Sequence, residues 1–152
     1  MFKPVVSFYF EVKFSHSDFK SEDELFFSNV SGLDMEIETL SINEGGNNGG
    51  PIQLPGKAKY SDITLKRALI PKKSKIYTWF QNTINWEYKK LTIVDLDIGL
   101  LDENGETCAN WRVSNCYPKK IQLSDMNASA SGESAIMIET LTLAHGGLTR
   151  TK

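Results

Sequence analysis

Apolar and polar residues alternate with period two along much of this chain. Val6, Phe8, Phe10, Val12 and Phe14 alternate with Ser7, Tyr9, Glu11 and Lys13, which predicts a strand over 5–14 with one apolar face. Residues 15–24 are polar and charged and read as a loop. Leu33, Met35 and Ile37 then alternate with Asp34, Glu36 and Glu38. The apolar phase switches at Leu40 and Ile42, which points to a bulge or to a strand bending between sheets. Ile63 and Leu65 mark another strand, Val94, Leu96, Ile98 and Leu100 one over 91–101, and Ala109, Trp111 and Val113 its return. Asn104-Gly105 between these two is the strongest hairpin signal in the chain. Pro118 and a polar stretch lead to Ile121 and Leu123. The last strand carries Ile136 and Ile138, then Leu141 and Leu143 with a second phase change, and Gly146-Gly147 ends it.

Residues 43–51 (NEGGNNGGP) and 124–134 (SDMNASASGES) read as loops, and Pro55-Gly56 adds a turn. One segment has helical spacing. Ser74 is placed to cap it, and Ile76, Trp79, Phe80 and Ile84 form its apolar stripe over 74–87. Six to eight strands with turns at this spacing, and one helix, predict a mainly β sandwich or barrel. The expected core is Phe8, Phe10, Val12, Leu33, Leu65, Trp79, Phe80, Leu96, Ile98, Trp111, Ile138 and Leu141. No internal repeat or composition shift divides the chain, so 1–152 is expected to be one domain containing a flexible loop at 43–56.

The chain has 152 residues, 40% hydrophobic, 24% charged and 11% aromatic, a composition that excludes a collagen, a coiled coil or long disorder. No apolar run approaches the roughly 20 residues of a membrane helix, so stable membrane insertion is not expected. The alternating N-terminus shows no secretion signal. A net charge of −2 argues against general nucleic-acid binding. The two cysteines, Cys108 and Cys116, would lie on one face of a shared strand, about 27 Å apart at roughly 3.3 Å per residue, and are expected to be free thiols.

Catalytic chemistry finds little support, and neither an enzyme, a metal nor a cofactor is expected. His16 and His145 have no partner at metal-ligand spacing and read as surface or hydrogen-bonded histidines. The glycine loop is not a phosphate-binding motif. Five residues, not four, separate Gly50 from Gly56-Lys57, and Ala58 stands where Ser or Thr would hold magnesium. Asp95 and Asp97 share one strand face and read as solvated carboxylates, since with Asp102 and Glu103 they lack EF-hand spacing. Trp79, Phe80 and Trp111 fall at core positions, whereas Trp86 lies off the helix stripe and is a possible contact.

Charge is segregated along the chain. Eight acids and one base lie between Asp18 and Glu44, and seven bases and one acid between Lys57 and Lys75. Opposite charge in two segments of a near-neutral protein suits head-to-tail binding between copies, which makes a ring or a filament. Two ordinary solvated faces are the alternative.

Several strings resemble the tail tube protein family, the inner tube proteins of contractile phage tails and related injection systems. Phe27-Ser28-Asn29-Val30-Ser31-Gly32-Leu33 is similar to its F-x-E-V-S-G-L segment, with Asn29 replacing the acid. Pro51-Ile52-Gln53-Leu54-Pro55-Gly56 with Tyr60 and Ile63-Thr64-Leu65-Lys66-Arg67 resembles its P-I-K-x-P-G and V-T-L-K-R segments. Trp79, Thr83-Ile84, Leu101-Asp102-Glu103-Asn104-Gly105, Trp111, Asn115, Tyr117, Pro118 and Lys120 follow in order. Ile138-Glu139-Thr140-Leu141-Thr142-Leu143-Ala144-His145 with Gly147-Leu148 resembles the closing segment.

The resemblance spans about 5–149. It implies two packed antiparallel sheets in a barrel-like sandwich with one flanking helix. It also implies hexameric rings that stack into a hollow tube inside a contractile sheath, with baseplate or spike and terminator proteins as further partners. Cargo in the lumen is expected to be a protein effector rather than DNA. Assembly would occur in the bacterial cytoplasm, before the tube joins an extracellular or envelope-associated particle or virion. Candidate contacts between subunits or rings are Glu22, Asp23, Glu24, Glu36, Glu38, Glu44, Asn47, Asn48, Lys57, Lys59, Lys66, Arg67, Lys72 and Lys73. The alternatives are a soluble hexameric effector carrier of a type VI-like secretion system and a monomeric β-barrel ligand-binding module.

Overall fold

The computed structural model describes residues 9–15, 26–42, 49–50, 52–69, 75–85, 92–124 and 137–152. Phe8, Ser74, Trp86, most of 43–51 and most of 124–134 lie outside them. Ten strands and one helix occur in the order β1 (Tyr9–Phe14), β2 (Phe26–Phe27), β3 (Asn29–Ser31), β4 (Met35–Ile42), β5 (Ile52–Tyr60), β6 (Ile63–Ala68), α1 (Lys75–Asn85), β7 (Val94–Leu101), β8 (Thr107–Leu123), β9 (Ile138–Ala144) and β10 (Gly147–Arg150). All pairings are antiparallel. The chain is mainly β, in a sandwich and not a closed barrel.

One long strand organises the sandwich. β8 runs for 17 residues. Its first part pairs with β7 as far as Cys116, and its last part, from Tyr117, pairs with β9. Between them Asn115 has φ 57°, a left-handed conformation that Asn tolerates better than most residues. The phase of the strand changes there. Ala109 and Val113 face inward before the corner, Cys116 and Pro118 after it. Cys116 is therefore buried while Cys108 is partly exposed, so the two thiols do not share a face as expected; both are free.

The opposite edge of β8 carries β9 and β10 in one register, Tyr117 against Ala144 and Ser114 against Gly147. β9 ends at Ala144, just before Gly146-Gly147, and β10 takes up the same register from Gly147 round the corner, where the Gly146 amide donates to Ser114 O at 2.9 Å. Asp95 fixes the corner: its Oδ1 accepts the Asn115 amide at 3.0 Å.

The sheet path runs β2-β1-β7-β8-β9-β6-β3. Its two ends, β2 and β3, are separated in the chain only by Ser28. Between the halves lies the core, which includes Val12, Phe27, Leu65, Ile76, Phe80, Leu96, Ile98, Val113, Leu141 and Leu143. Phe10, Leu33 and Trp111 are half-buried against it. Helix α1 buries Ile76, Trp79 and Phe80, and Trp79 donates its indole N–H to Thr92 O at 2.9 Å. Ile138 departs from the expected core. Its strand places Glu139, Leu141 and Leu143 inward, so Ile138 points outward and is 37% exposed.

The turn expected at Pro55-Gly56 is also corrected, and Pro118 takes its place in a strand. Pro118 lies inside β8, at a register shift between Pro118 and Lys120 where its missing N–H is tolerated. Pro55-Gly56 lies inside β5, so residues 52–56 of the loop expected over 43–56 are strand. The Asn104-Gly105 turn forms as predicted, with Gly105 at φ 79° and Asp102 Oδ1 accepting the amides of Asn104 and Glu106, each at 2.9 Å.

Leu96→Ala and Leu141→Ala, both fully buried, should each lower the unfolding free energy of the unassembled chain by about 2–5 kcal/mol in urea denaturation, whereas Leu40→Ala, outside the core, should change it by less than about 0.5 kcal/mol.

Candidate assembly interface

β3 and β6 continue directly into β4 and β5. Ser31 pairs with Thr64 and Met35 with Tyr60, so one antiparallel ribbon runs from the sandwich into the β4–β5 hairpin without a change of register. The ribbon breaks only at 32–34 and 61–62. Gly32 sits there at φ +87°, and a Cβ on it would lie 2.0 Å from Asp62 O, so only glycine fits. Three contacts brace the break. His145 donates from Nε2 to Ser61 O at 2.8 Å, its ring lies 5.3 Å from that of Tyr60, and Lys119 pairs with Asp62 at 2.6 Å. That hydrogen bond and the Asp62 charge raise the Lys119 ammonium above its usual value. His145 is thus the hydrogen-bonded histidine expected from sequence.

Beyond the break the hairpin stands apart. β4 and β5 form a two-stranded sheet of their own and, among the described residues, pair only with each other. Large apolar side chains along it are open to solvent: Met35 (62% exposed), Ile37 (61%), Leu40 (52%), Ile42, Ile52 and Leu54. An isolated two-stranded hairpin is marginal in water, and an exposed cluster of this kind marks an interaction surface. The contact residues expected from sequence are charged or amide side chains, and of these apolar ones only Ile52 and Leu54 fall in the loop at 43–56 that sequence also offers as a contact between rings. The available signal was the phase switch at Leu40 within a single strand.

The charged candidates are distributed differently from the expectation. Glu36 pairs in register with Lys59, and Lys59 Nζ lies 2.7 Å from Glu38. Acidic and basic segments therefore meet here as cross-strand neighbours within one hairpin, a consequence of antiparallel pairing. Lys57 and Lys66 are exposed. Arg67 is not a surface residue: it is 5% exposed, its Nε is 3.0 Å from Glu139 Oε2, and its guanidinium lies 5.0 Å from the Phe27 ring centroid. It faces inward because it shares the phase of Ile63 and Leu65 on β6. Glu22, Asp23, Glu24, Glu44, Asn47, Asn48, Lys72 and Lys73 lie outside the described residues.

The acidic pair on β7 has structural work. Arg112 reaches Asp95 at 3.4 Å and Asp97 at 3.6 Å, a solvated cross-strand cluster on the outer face. A hollow of about 270 Å³ beside it is lined by Glu11, Lys13, Asp97, Gly99, Thr107 and Asn110. It is polar and lies outside the sandwich, unlike the apolar pocket of a small-ligand module. Among the described residues no cluster of His, Cys, Asp or Glu could hold a metal ion, and no helix is long and apolar enough to cross a membrane.

The family model of the T4-like virus tail tube protein gp19 matches residues 6–149. This chain belongs to that tail tube family. Solved structures share its fold. A chain of the anti-feeding prophage baseplate, 6-fold symmetrised, superposes with a TM-score of 0.79 at 23% identity, over 99% of this chain and 97% of that one. A chain of the sheath-tube complex of an extracellular contractile injection system, PVC, in the extended state gives 0.76 at 24%, over 97% and 91%. Hcp1 from Flavobacterium johnsoniae gives 0.54 at 10%, over 95% of each chain. No curated protein matches. The sequence resemblance to tail tube proteins is thus borne out at the level of family and fold. These alignments cover 95–99% of this tail tube chain.

Removing one partner of the buried pair should be costly and removing both should not. Arg67→Met alone should destabilise this tail tube chain by about 3–5 kcal/mol, and Arg67→Met with Glu139→Leu should recover most of that, by urea denaturation. Burial, with a smaller contribution from Asp95, pushes the Cys116 thiol up to about 12. At pH 8 a maleimide should therefore label Cys108 and reach Cys116 only on unfolding, as read by mass spectrometry.

Proposed function

We propose that this chain is a structural subunit of the inner tube of a contractile injection system or phage tail. Hexameric rings of it stack into a hollow tube that is driven through a target envelope and conducts cargo. The observation that carries this reading is the β4–β5 hairpin, which holds a row of aliphatic side chains in solvent away from the sandwich. A tube subunit removes such a surface from water by burying it against other copies. Tail tube membership supports the same structural role.

Pairing between strand edges would join neighbouring subunits around the lumen, because closure leaves no open edge. The C-terminal part of β8, beyond its last partner on β7, offers one such edge among the described residues. Sheath, baseplate or spike, and terminator proteins are the further partners, and a protein effector is the cargo. The tube assembles in the bacterial cytoplasm and acts in an extracellular or envelope-associated particle. The likeness to Hcp1 favours one second reading, a soluble hexameric effector carrier of a type VI-like system.

Negative-stain electron microscopy of the chain, alone and coexpressed with its neighbouring genes, should show hollow tubes or stacked rings. Isolated hexamers in both preparations would favour the carrier, and small particles alone would refute both. Ile37→Asp should abolish tubes while leaving the circular dichroism and urea midpoint of the unassembled chain unchanged.

A further inference from the structure

The two outer faces of the sandwich carry different chemistry. On the half built from β1, β7 and the first part of β8, acids and bases pair: Arg112 reaches Asp95 and Asp97, and Lys13 lies 3.8 Å from Glu11. The other half joins β3, β6, β9 and the last part of β8, and its inner face carries Ile63, Leu65, Leu141 and Leu143. Pleat alternation turns the residues between these outward. The pairings set them in two rows across the sheet. Lys120, Thr142, Thr64 and Ser31 stand side by side in one, and Gln122, Thr140, Lys66 and Asn29 in the next.

Neither row contains a carboxylate. The chain has 19 acids against 17 bases, so composition does not dictate this. The one acid on these strands, Glu139, has the inward phase and is spent on Arg67. Lys66 and Lys120 are exposed and, among the described residues, have no acidic partner. Lys119 beside them is already paired with Asp62. The rest of the two rows is hydroxyl and amide, which offer both donors and acceptors. A face of this kind attracts negative charge weakly over a broad area. The rows hold no arginine to clamp a phosphate and no succession of aromatic rings on which bases stack, so they suit a polypeptide and not a nucleic acid.

We propose that this face is a contact surface for an acidic polypeptide, and that in the assembled tube it is the wall along which an acidic protein cargo lies. The second part rests on the tube reading and specifies its cargo. The other face of the same sheet is covered by the core and by α1, so the two rows are what this sheet has left to border an open channel when the free edge of β8 joins a neighbour. Two unpaired lysines per copy then recur around and along that channel. Each attraction is weak and releases readily, and their number holds the cargo until the tube is emptied.

The test uses tubes of the unmodified chain, coexpressed with its neighbouring genes, purified, and incubated with a short polyglutamate peptide that carries a benzophenone. After washing and irradiation, the peptide should remain with the tubes, and mass spectrometry should place its adducts on 29–31, 64–66, 120–122 and 140–142. Raising the salt from about 0.1 M to about 1 M, where the screening length falls from about 10 Å to about 3 Å, should release it. Polylysine and single-stranded DNA of matching length should be retained less. Lys66→Gln with Lys120→Gln should lower polyglutamate retention several-fold in tubes of unchanged appearance; if that variant does not assemble, the adduct map on unmodified tubes decides. Adducts confined to the Asp95–Arg112 face or to the hairpin, retention of polylysine equal to that of polyglutamate, or tighter retention of DNA would each overturn the assignment and leave the tube reading standing. If the unmodified chain forms no tubes, the tube reading and the cargo wall fall together, and the same crosslinking on the unassembled chain decides the contact surface by itself.

Discussion

Everything in this fold hangs on the corner at Asn115. An antiparallel sheet with one apolar face must bury it, and here one sheet does so by folding over on itself. β8 is the strand common to both halves, and Asn115 takes the left-handed conformation that turns it from one half into the other. Asp95 holds the turned backbone by accepting the Asn115 amide, and Gly146 lets the neighbouring strand follow. The change of phase at the corner brings Cys116 and Pro118 inward. Asp95 therefore has a sufficient explanation in the fold. His145 has one too, bracing the backbone at the base of the hairpin.

The same corner positions the surface that the fold leaves unfinished. β9 runs from it beside β6, and β6 with β3 continues into the projecting hairpin. The sandwich buries a core of its own, while the hairpin carries six large apolar side chains outward. Burying an aliphatic side chain is worth about 1.5–3 kcal/mol. Six such side chains in solvent, on the two faces of the hairpin, are therefore a large source of free energy for association.

Much of this was legible in the sequence, for definite physical reasons. Period-two alternation marked β1, β7 and β8, the helical stripe of Ile76, Trp79 and Phe80 marked α1, and Asn104-Gly105 marked its hairpin. Ordered strings marked the family. What alternation could not reveal was which apolar face meets a core inside the chain and which is left for another chain: Leu65 and Ile37 look alike in sequence. Pro55-Gly56 read as a turn because glycine and proline usually punctuate, whereas here it lies in a bulged strand, and nothing about Gly146-Gly147 revealed that β10 begins there in the register of β9. Arg67 read as a surface cation because a lone base gives no sign of Glu139, 72 residues away. Ile138 read as core because a phase change locates the switch only to within a residue or two.

The central claim is that the hairpin is completed by other copies of the chain. Amide hydrogen exchange on the unassembled and the assembled protein tests it most directly. Amides of 35–42 and 52–60 are predicted to exchange fast in the unassembled chain and to become strongly protected in tubes, while those pairing β6 with β9 are slow in both. A hairpin already protected before assembly, or one that still exchanges freely inside tubes, would contradict it.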